Sequence, residues 1–309
     1  MQKTILITGS TGMIGKNLIN AFIKLNYRNI IITYQKKSKI KDILDIKKEL
    51  KKIKINLVSS IETKKKLYKI KPNIIFHLVA SNINSNILEQ HYEKNIYTTI
   101  NLINAINLTK LEQIIYTNTG SIYGQGNLVS ENSKININEN YSYTKYVTSL
   151  FLKNFCLGKK ILYKEFRIFS VYGKYEDKKR LVSGAIYSAI KNKNFYLRSK
   201  NQIRDYINVE DIVEALIKSI KIKRSFIVNL CSGNEIGTHN LVKRVFIFNK
   251  IKINKIKYNK NNKGYSKKKL TGKNIKIKKI LNWKPKINLD NGIKLTTEWL
   301  KKNEKMYSM

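Results

Sequence analysis

Short apolar runs alternate with amphipathic stretches over the first half of this chain. The runs fall at residues 3–8, 29–33, 53–57, 73–78 and 113–117, with a longer one at 161–169. Between them, apolar residues recur at helical spacing: Ile14, Leu18, Ile19, Phe22 and Ile23, then stretches 95–107 and 141–157. Runs without polar alternation suit strands buried on both faces. Strands that alternate with helices predict a parallel, doubly wound sheet built with right-handed crossovers. After about residue 172 the pattern loosens. Helices are expected at 181–191, 209–220, 239–249 and 289–301, and short strands at 195–197, 226–230 and 252–258. The lysine-rich stretch 259–279 supports no element. The expected organisation is a main domain over 1–172 and a smaller α/β lobe over 173–309, with segments of the lobe returning to the main domain.

The junction of the first run and the first amphipathic stretch carries the clearest chemistry. Gly9, Gly12 and Gly15 stand at three-residue steps between the apolar run Ile5-Leu6-Ile7 and the helical pattern. Strand, glycine turn and helix in this order form a dinucleotide-binding arrangement and predict a Rossmann-like fold. One glycine allows the tight turn, one lets backbone approach a pyrophosphate, and one lets helix and strand pack closely. The helix N-terminus then offers unpaired N–H groups and partial positive charge to the phosphates. Ligands are expected at the carboxyl ends of the strands, at the switch point of the sheet.

Composition narrows the class. The chain has 309 residues and 42% hydrophobic content, enough for a large core. No apolar run approaches the roughly 18 residues of a membrane span, so no membrane insertion is expected. The first strand begins almost at the N-terminus, which leaves no room for a signal peptide. Cys156 and Cys231 suggest neither a disulfide framework nor a metal site and fit a reducing cytoplasm. His77, His91 and His239 lack metal-ligand spacing, so no metal is expected. The formal charge is +41, from 61 Lys and Arg against 20 Asp and Glu. The lysines are scattered, and Lys, Asn, Ile and Tyr share A/T-rich codons. The charge therefore reads as compositional bias and predicts no specific nucleic-acid partner, although it favours approach of an anionic substrate.

A second constellation lies at 140–146, NYSYTKY. Tyr141 and Lys145 are four apart, which puts both on one helix face. A phenol with a pKa near 10 is no base at neutral pH, but a neighbouring ammonium favours the phenolate. The pair is thus suited to move a proton on an alcohol or sugar hydroxyl.

Seven motifs in order resemble the extended short-chain dehydrogenase/reductases, the nucleotide-sugar epimerases, dehydratases and reductases. They are TGSTGMIG at 8–15, KPNIIFHLVA at 71–80, YEKNIYTTINLINA at 92–105, TNTGSIYG at 117–124, RIFSVYG at 167–173, RDYINVEDIVEAL at 204–216 and LNWKP at 281–285. The resemblance implies that Thr119, Tyr141 and Lys145 are catalytic. Thr119, four before Tyr123, would bind the reacting sugar oxygen, and Lys145 would hold ribose hydroxyls and tune Tyr141. It implies a cofactor site made by Gly9, Gly12, Met13, Ile14, Gly15, Asn56, Leu57, Leu78, Val79, Ala80 and Asn95, with Tyr141 and Lys145. Ser121, Ser170, Arg180 and Arg204 are the implied substrate contacts, with Arg204 taking the diphosphate by a bidentate bond. Asp205 and Asp211 are expected to orient that segment and cap the helix that follows.

The departures from the family pattern are informative. Gly120 and Ser121 stand where the 4,6-dehydratases carry Asp-Glu and the UDP-glucuronate decarboxylases a Glu, so dehydration and decarboxylation are not expected. Asn56 replaces an adenine-binding Asp, Val79 the first Ala of HLAA, and Lys174 a Pro. After the second strand, Thr33, Tyr34, Gln35, Lys36 and Lys37 include no acid for a ribose 2′-hydroxyl, so of NAD and NADP the sequence favours NADP. The expected activity is epimerisation of a nucleoside-diphosphate sugar by transient oxidation and hydride return. The alternative is an NADPH-dependent reductase of nucleotide-linked 4-keto-6-deoxyhexoses. A non-catalytic dinucleotide-sensing or nucleic-acid-associated protein would not need the Thr119–Tyr141–Lys145 set. The resemblance further implies a homodimer through helices 95–107 and 141–157, and a role in surface polysaccharide or lipopolysaccharide synthesis.

Overall fold

The computed structural model describes residues 2–36, 50–81, 85–197, 202–258 and 268–304. The chain divides into two units: 1–122, 136–167 and 216–228 form the first, and 123–135, 168–215 and 229–309 the second. One junction, at 167/168, lies close to the boundary expected at 172, while 123–135 and 216–228 cross over.

The first unit is built on a seven-stranded sheet. Its strands are β1 (Ile5–Thr8), β2 (Ile30–Tyr34), β3 (Lys51–Lys54), β4 (Ile74–His77), β5 (Gln113–Thr119), β7 (Leu162–Ile168) and β12 (Phe226–Leu230), in the order β12-β7-β5-β4-β1-β2-β3. Every pairing from β3 to β5 is parallel, with Ile5 of β1 opposite Ile30 on one side and Ile74 on the other. The sheet is therefore the Rossmann-like, doubly wound form. The order reverses beside β1, which opens a crevice at the carboxyl ends of β1 and β4. β1 and β4 are buried along their whole length, as their unbroken apolar runs require.

Helices α1 (Met13–Lys24) and α2 (Ser60–Leu67), the helical run 88–105 (α3) and α4 (Asn140–Gly158) complete this unit. Ser59 caps α2 by accepting the Glu62 N–H at 3.2 Å. In α3, an α-turn at Leu88–His91 leads into a π-helical segment, Tyr92–Tyr97, and then into α-helix at Thr98–Ala105. The third strand was expected at 53–57, but its ladder stops at Lys54. Ile55 donates to Tyr34 O, and the chain then turns away with Ile55 and Leu57 buried.

The second unit has a four-stranded sheet in the order β13-β10-β15-β6: Ile236–Gly237, Ile203–Arg204, Lys269–Gly272 and Gly126–Val129. Two further pairs are β8 (Ser170–Tyr172) with β11 (Tyr206–Asn208), and β9 (Phe195–Leu197) with β14 (Ile256–Tyr258). Helices α5 (Leu181–Ile190), α7 (Thr238–Phe248) and α9 (Leu289–Lys302) pack around Ile186, Leu241, Val245 and Ile293. α6 (Val209–Ser219) follows β11. The stretch 259–279, read as supporting no element, contains β15 and most of helix α8 (Ile275–Leu281). Leu270 of β15 and Ile277 and Leu281 of α8 are buried, while Lys273, Lys276, Lys278 and Lys279 are exposed. Residues 259–267 lie outside the described residues.

Candidate active site

A cavity of about 450 Å³ lies at the switch point of the first unit. Gly9, Gly12, Met13, Ile14, Gly15, Asn56, Leu57, Leu78, Val79 and Ala80 all line it. Two glycines show why the cradle admits no side chain. Gly9 has φ +70°, and a Cβ there would meet the Leu78 carbonyl carbon at 2.6 Å. At Gly15 a Cβ would meet Gly9 O at 2.4 Å. Gly12 is the N-cap of α1 and supplies no side-chain cap, so the first N–H groups of the helix remain available to an anion. A close-approach backbone and a helix N-terminus in one crevice fit the pyrophosphate of a dinucleotide cofactor. Asn56 Oδ1 accepts the Val58 N–H at 3.3 Å, which shapes the turn at this rim.

Sequence reasoning missed Thr11, Ile55, Val58, Lys94 and Thr98 at this cavity. Lys94 lies in the π-helical segment and Thr98 directly after it. The extra residue per turn shifts the helix face, so no i, i+4 pattern points to them; their only signal was closeness to Asn95. Asn95 itself is buried, with its amide donating to Ser81 Oγ at 3.1 Å and Thr144 Oγ1 at 2.8 Å, and accepting the Ser81 N–H at 2.9 Å. It ties the backbone just beyond Ala80 to α4. Thr33 and Tyr34 at the end of β2, and Gln35 and Lys36 just past it, line the cavity without a carboxylate, while Lys37 lies outside the described residues.

Thr119 ends β5, and Tyr141 and Lys145 lie one turn apart on α4, which packs on β5. Thr119 Oγ1 accepts the Ser121 N–H at 3.1 Å, which directs its own proton elsewhere. The Tyr141 ring is partly exposed and meets the His91 imidazole edge-on, with centroids 6.1 Å apart. His91 is held by Ser81 Oγ at 2.7 Å and the Ser85 carbonyl at 2.9 Å. Lys145 is buried, with Nζ 4.2 Å from the centre of the Tyr116 ring. Burial pushes its ammonium down to about 7, and the Glu165 carboxylate works in the opposite direction. Burial, aided by Lys145, holds His77 down at about 3. Thr99 Oγ1 gives its proton to Asn95 O, so His77 donates to Thr99 and accepts from Thr8, each at 2.8 Å.

Ser121 is partly buried just beyond Thr119 in the first unit. Ser170, Arg180 and Arg204 belong to the second unit. Arg180 stands at the N-cap position of α5, where its side chain makes no capping bond and instead donates to Glu176 at 3.3 Å; Glu176 is buried and also takes the Ser183 N–H and hydroxyl. Arg204 lies on β10, half-buried. The next residue, Asp205, accepts from Ser232 N and Oγ, both at 2.8 Å, and from Gly233 N at 2.9 Å. Neither Asp205 nor Asp211 caps α6. Asn208 accepts the Glu210 N–H at 2.9 Å, and Asp211 receives the N–H groups of Lys286 and Ile287 beside the LNWKP segment. Their carboxylates are spent on distant loops, which spacing does not reveal.

Among the described residues, no group of three or more His, Cys, Asp or Glu is placed to hold a metal ion, and no helix is long and apolar enough to cross a membrane.

The sequence model of the NAD dependent epimerase/dehydratase family matches residues 5–231. A Methanocaldococcus jannaschii protein, provisionally named UDP-glucose 4-epimerase, is 27% identical over 97% of this chain and 99% of its own. The fold is similar to a Thermotoga maritima UDP-glucose 4-epimerase with UDP-glucose, with TM-score 0.86, 22% identity, and 97% and 99% of the two chains covered. It is also similar to a Bacillus anthracis dTDP-glucose 4,6-dehydratase in complex with NAD, with TM-score 0.84, 19% identity, and coverage of 99% and 98%.

Proposed function

This chain belongs to the NAD-dependent epimerase/dehydratase family, and on that premise we propose that it inverts a carbinol carbon of a nucleoside-diphosphate sugar, with C4 the favoured position. The observation that carries this reading is a proton-handling set, Thr119, Tyr141 and Lys145, followed by Gly120 and Ser121, where no carboxylate is present to drive elimination. When bound in the switch-point cavity, NAD supplies reversible acceptance of hydride from the carbinol carbon. The ionised Tyr141 phenol oxygen takes the proton from the sugar hydroxyl, becoming the hydroxyl, and returns it when hydride comes back to the carbon. Lys145 favours the ionised phenol and holds the cofactor ribose. The Thr119 hydroxyl, its oxygen already accepting from Ser121 N–H, donates to the sugar oxygen. In the second unit, Arg204 takes the diphosphate, with Ser170 and Arg180 as further substrate contacts.

Self-association is supported by exposed apolar residues on two neighbouring helices: Leu88 and Tyr97 on α3, and Tyr143, Leu150 and Leu157 on α4. We assign them to a second copy of the chain. The free, buried cysteines Cys156 and Cys231 support action in a reducing cytoplasm, and the product sugar suits glycosyl transfer into surface polysaccharide.

A second reading, an NADPH-dependent 4-ketosugar reductase, is favoured by Lys36 at the cavity and by the absence of an acid among Thr33–Lys36. Incubating the purified protein with UDP- and dTDP-linked hexoses, without added reductant, separates the two. The epimerase reading expects interconversion of two sugars with no net change in reduced nicotinamide. Inertness toward these sugars, with NADPH consumed on 4-keto nucleotide sugars, would replace it with the reductase.

A further inference from the structure

Strand β7 reads LYKEFRI, and its buried centre carries charges where the fold calls for apolar side chains. Glu165 is fully buried. Its carboxylate accepts from Asn118 Nδ2 at 2.9 Å, Arg167 Nε at 3.1 Å, Tyr163 Oη at 2.9 Å, and the Ser149 hydroxyl. Two of these donors lead to the candidate active site. Asn118 turns its other amide atom, Oδ1, to the Thr119 N–H at 2.8 Å. Ser149 lies on α4, one turn beyond Lys145. Removing a carboxylate from water is costly unless hydrogen-bonding and charged partners offset the lost hydration. An apolar residue would have filled a central strand without that cost.

We propose that Glu165 is a positioning residue, whose buried carboxylate, through Asn118 and Ser149, sets the end of β5 that carries Thr119 against the helix that carries Tyr141 and Lys145. The inference rests on the reading of those three residues as the catalytic group. Asn118 is the link to the threonine. Its amide spans the carboxylate and the Thr119 backbone, so the rotation of the strand end is fixed by the buried carboxylate. Ser149 is the link to the helix. The same negative charge acts on Lys145 and keeps its ammonium from falling further below the ordinary lysine range. Arg167 balances the carboxylate from its own strand, two residues on, so pairing it needs neither Asn118 nor Ser149.

Two variants test this with two readouts. Glu165→Gln keeps the shape and removes the charge. Calorimetric titration with NAD over a pH series is expected to show the alkaline loss of affinity moved down by roughly one pH unit, because Lys145 then loses its proton more easily. Asn118→Ala breaks the link to Thr119 and leaves the carboxylate. Its kcat is expected to fall about tenfold or more while KM and NAD affinity stay within about twofold. If Glu165→Gln does not fold, Asn118→Ala decides alone. Variants that fold, bind NAD with the wild-type pH dependence and keep the wild-type kcat would overturn the proposal and leave Glu165 a structural ion-pair partner. The calorimetric arm needs no turnover. A wild-type protein inactive on every nucleotide sugar would therefore count against the proposed function and not against this inference.

Discussion

Lys145 Nζ lies 4.2 Å from the centre of the Tyr116 ring, and the Tyr116 hydroxyl donates to the Lys145 carbonyl at 3.0 Å. One strand residue thus grips both ends of the lysine. It fixes α4 to β5 and holds a buried ammonium one helical turn from Tyr141.

That burial sets a stability signature. The Lys145 ammonium is pushed from 10.5 to about 7, so between these values the unfolded chain binds more protons than the folded one. Stability from this group therefore rises with pH across the window, and the penalty is largest below pH 7. Lys145→Met is expected to stabilise the cofactor-free protein by roughly 1–4 kcal/mol at or below pH 7, with the gain fading toward pH 10.5. Thermal unfolding of both proteins over a pH series checks this, and a destabilised variant at pH 6 would refute it.

Tyr141→Phe removes one hydroxyl from a ring braced edge-on by His91. Turnover is expected to fall by about a hundredfold to ten-thousandfold, with NAD affinity little changed. Parallel assays of turnover and cofactor binding decide it. Retained turnover would remove Tyr141 from the proton path.

The cradle gives a third test. A Cβ at Gly15 would lie 2.4 Å from Gly9 O and 2.7 Å from Ser10 Cα, both main-chain atoms that cannot swing away. Gly15→Ala should fold less stably and lose roughly a hundredfold or more in NAD affinity, as helix and strand are forced apart at the pyrophosphate cradle. Calorimetry on the folded fraction measures it. Near-normal affinity would mean the pyrophosphate sits elsewhere.

Gly120 and Ser121 give a prediction about product. With no carboxylate there, the chain should release no product that has lost water from any hexose nucleotide. Mass spectrometry of the reaction mixture tests this, and a dehydrated 4-keto sugar would reassign the activity.

Self-association is the fifth. Leu150 is 49% exposed and Leu157 76% exposed on α4. Replacing both with glutamate should convert a dimer to a monomer in sedimentation velocity. A wild-type protein that already sediments as a monomer would dismiss the interface.

What could be read from the sequence follows from how local each requirement is. The cradle was legible because Gly9 and Gly15 answer backbone contacts between neighbouring segments, and few residues can replace them. Tyr141 and Lys145 were legible because four residues make one helical turn. Lys94 and Thr98 were not, since the π-helical segment alters the period on which the reading depends. The sheet β13-β10-β15-β6 was hidden because strands of two to four residues carry no periodic signal. Glu165 contradicts its own pattern. A charge in a buried strand makes sense only once Asn118, Tyr163 and Ser149 are seen around it.

The most direct test of the central claim is to purify the protein, release bound nucleotide with acid and identify it by mass spectrometry. An epimerase that regenerates its cofactor in each cycle should release NAD in stoichiometric amount. A protein that comes away empty and binds NADPH reversibly would contradict the epimerase and make the chain a reductase.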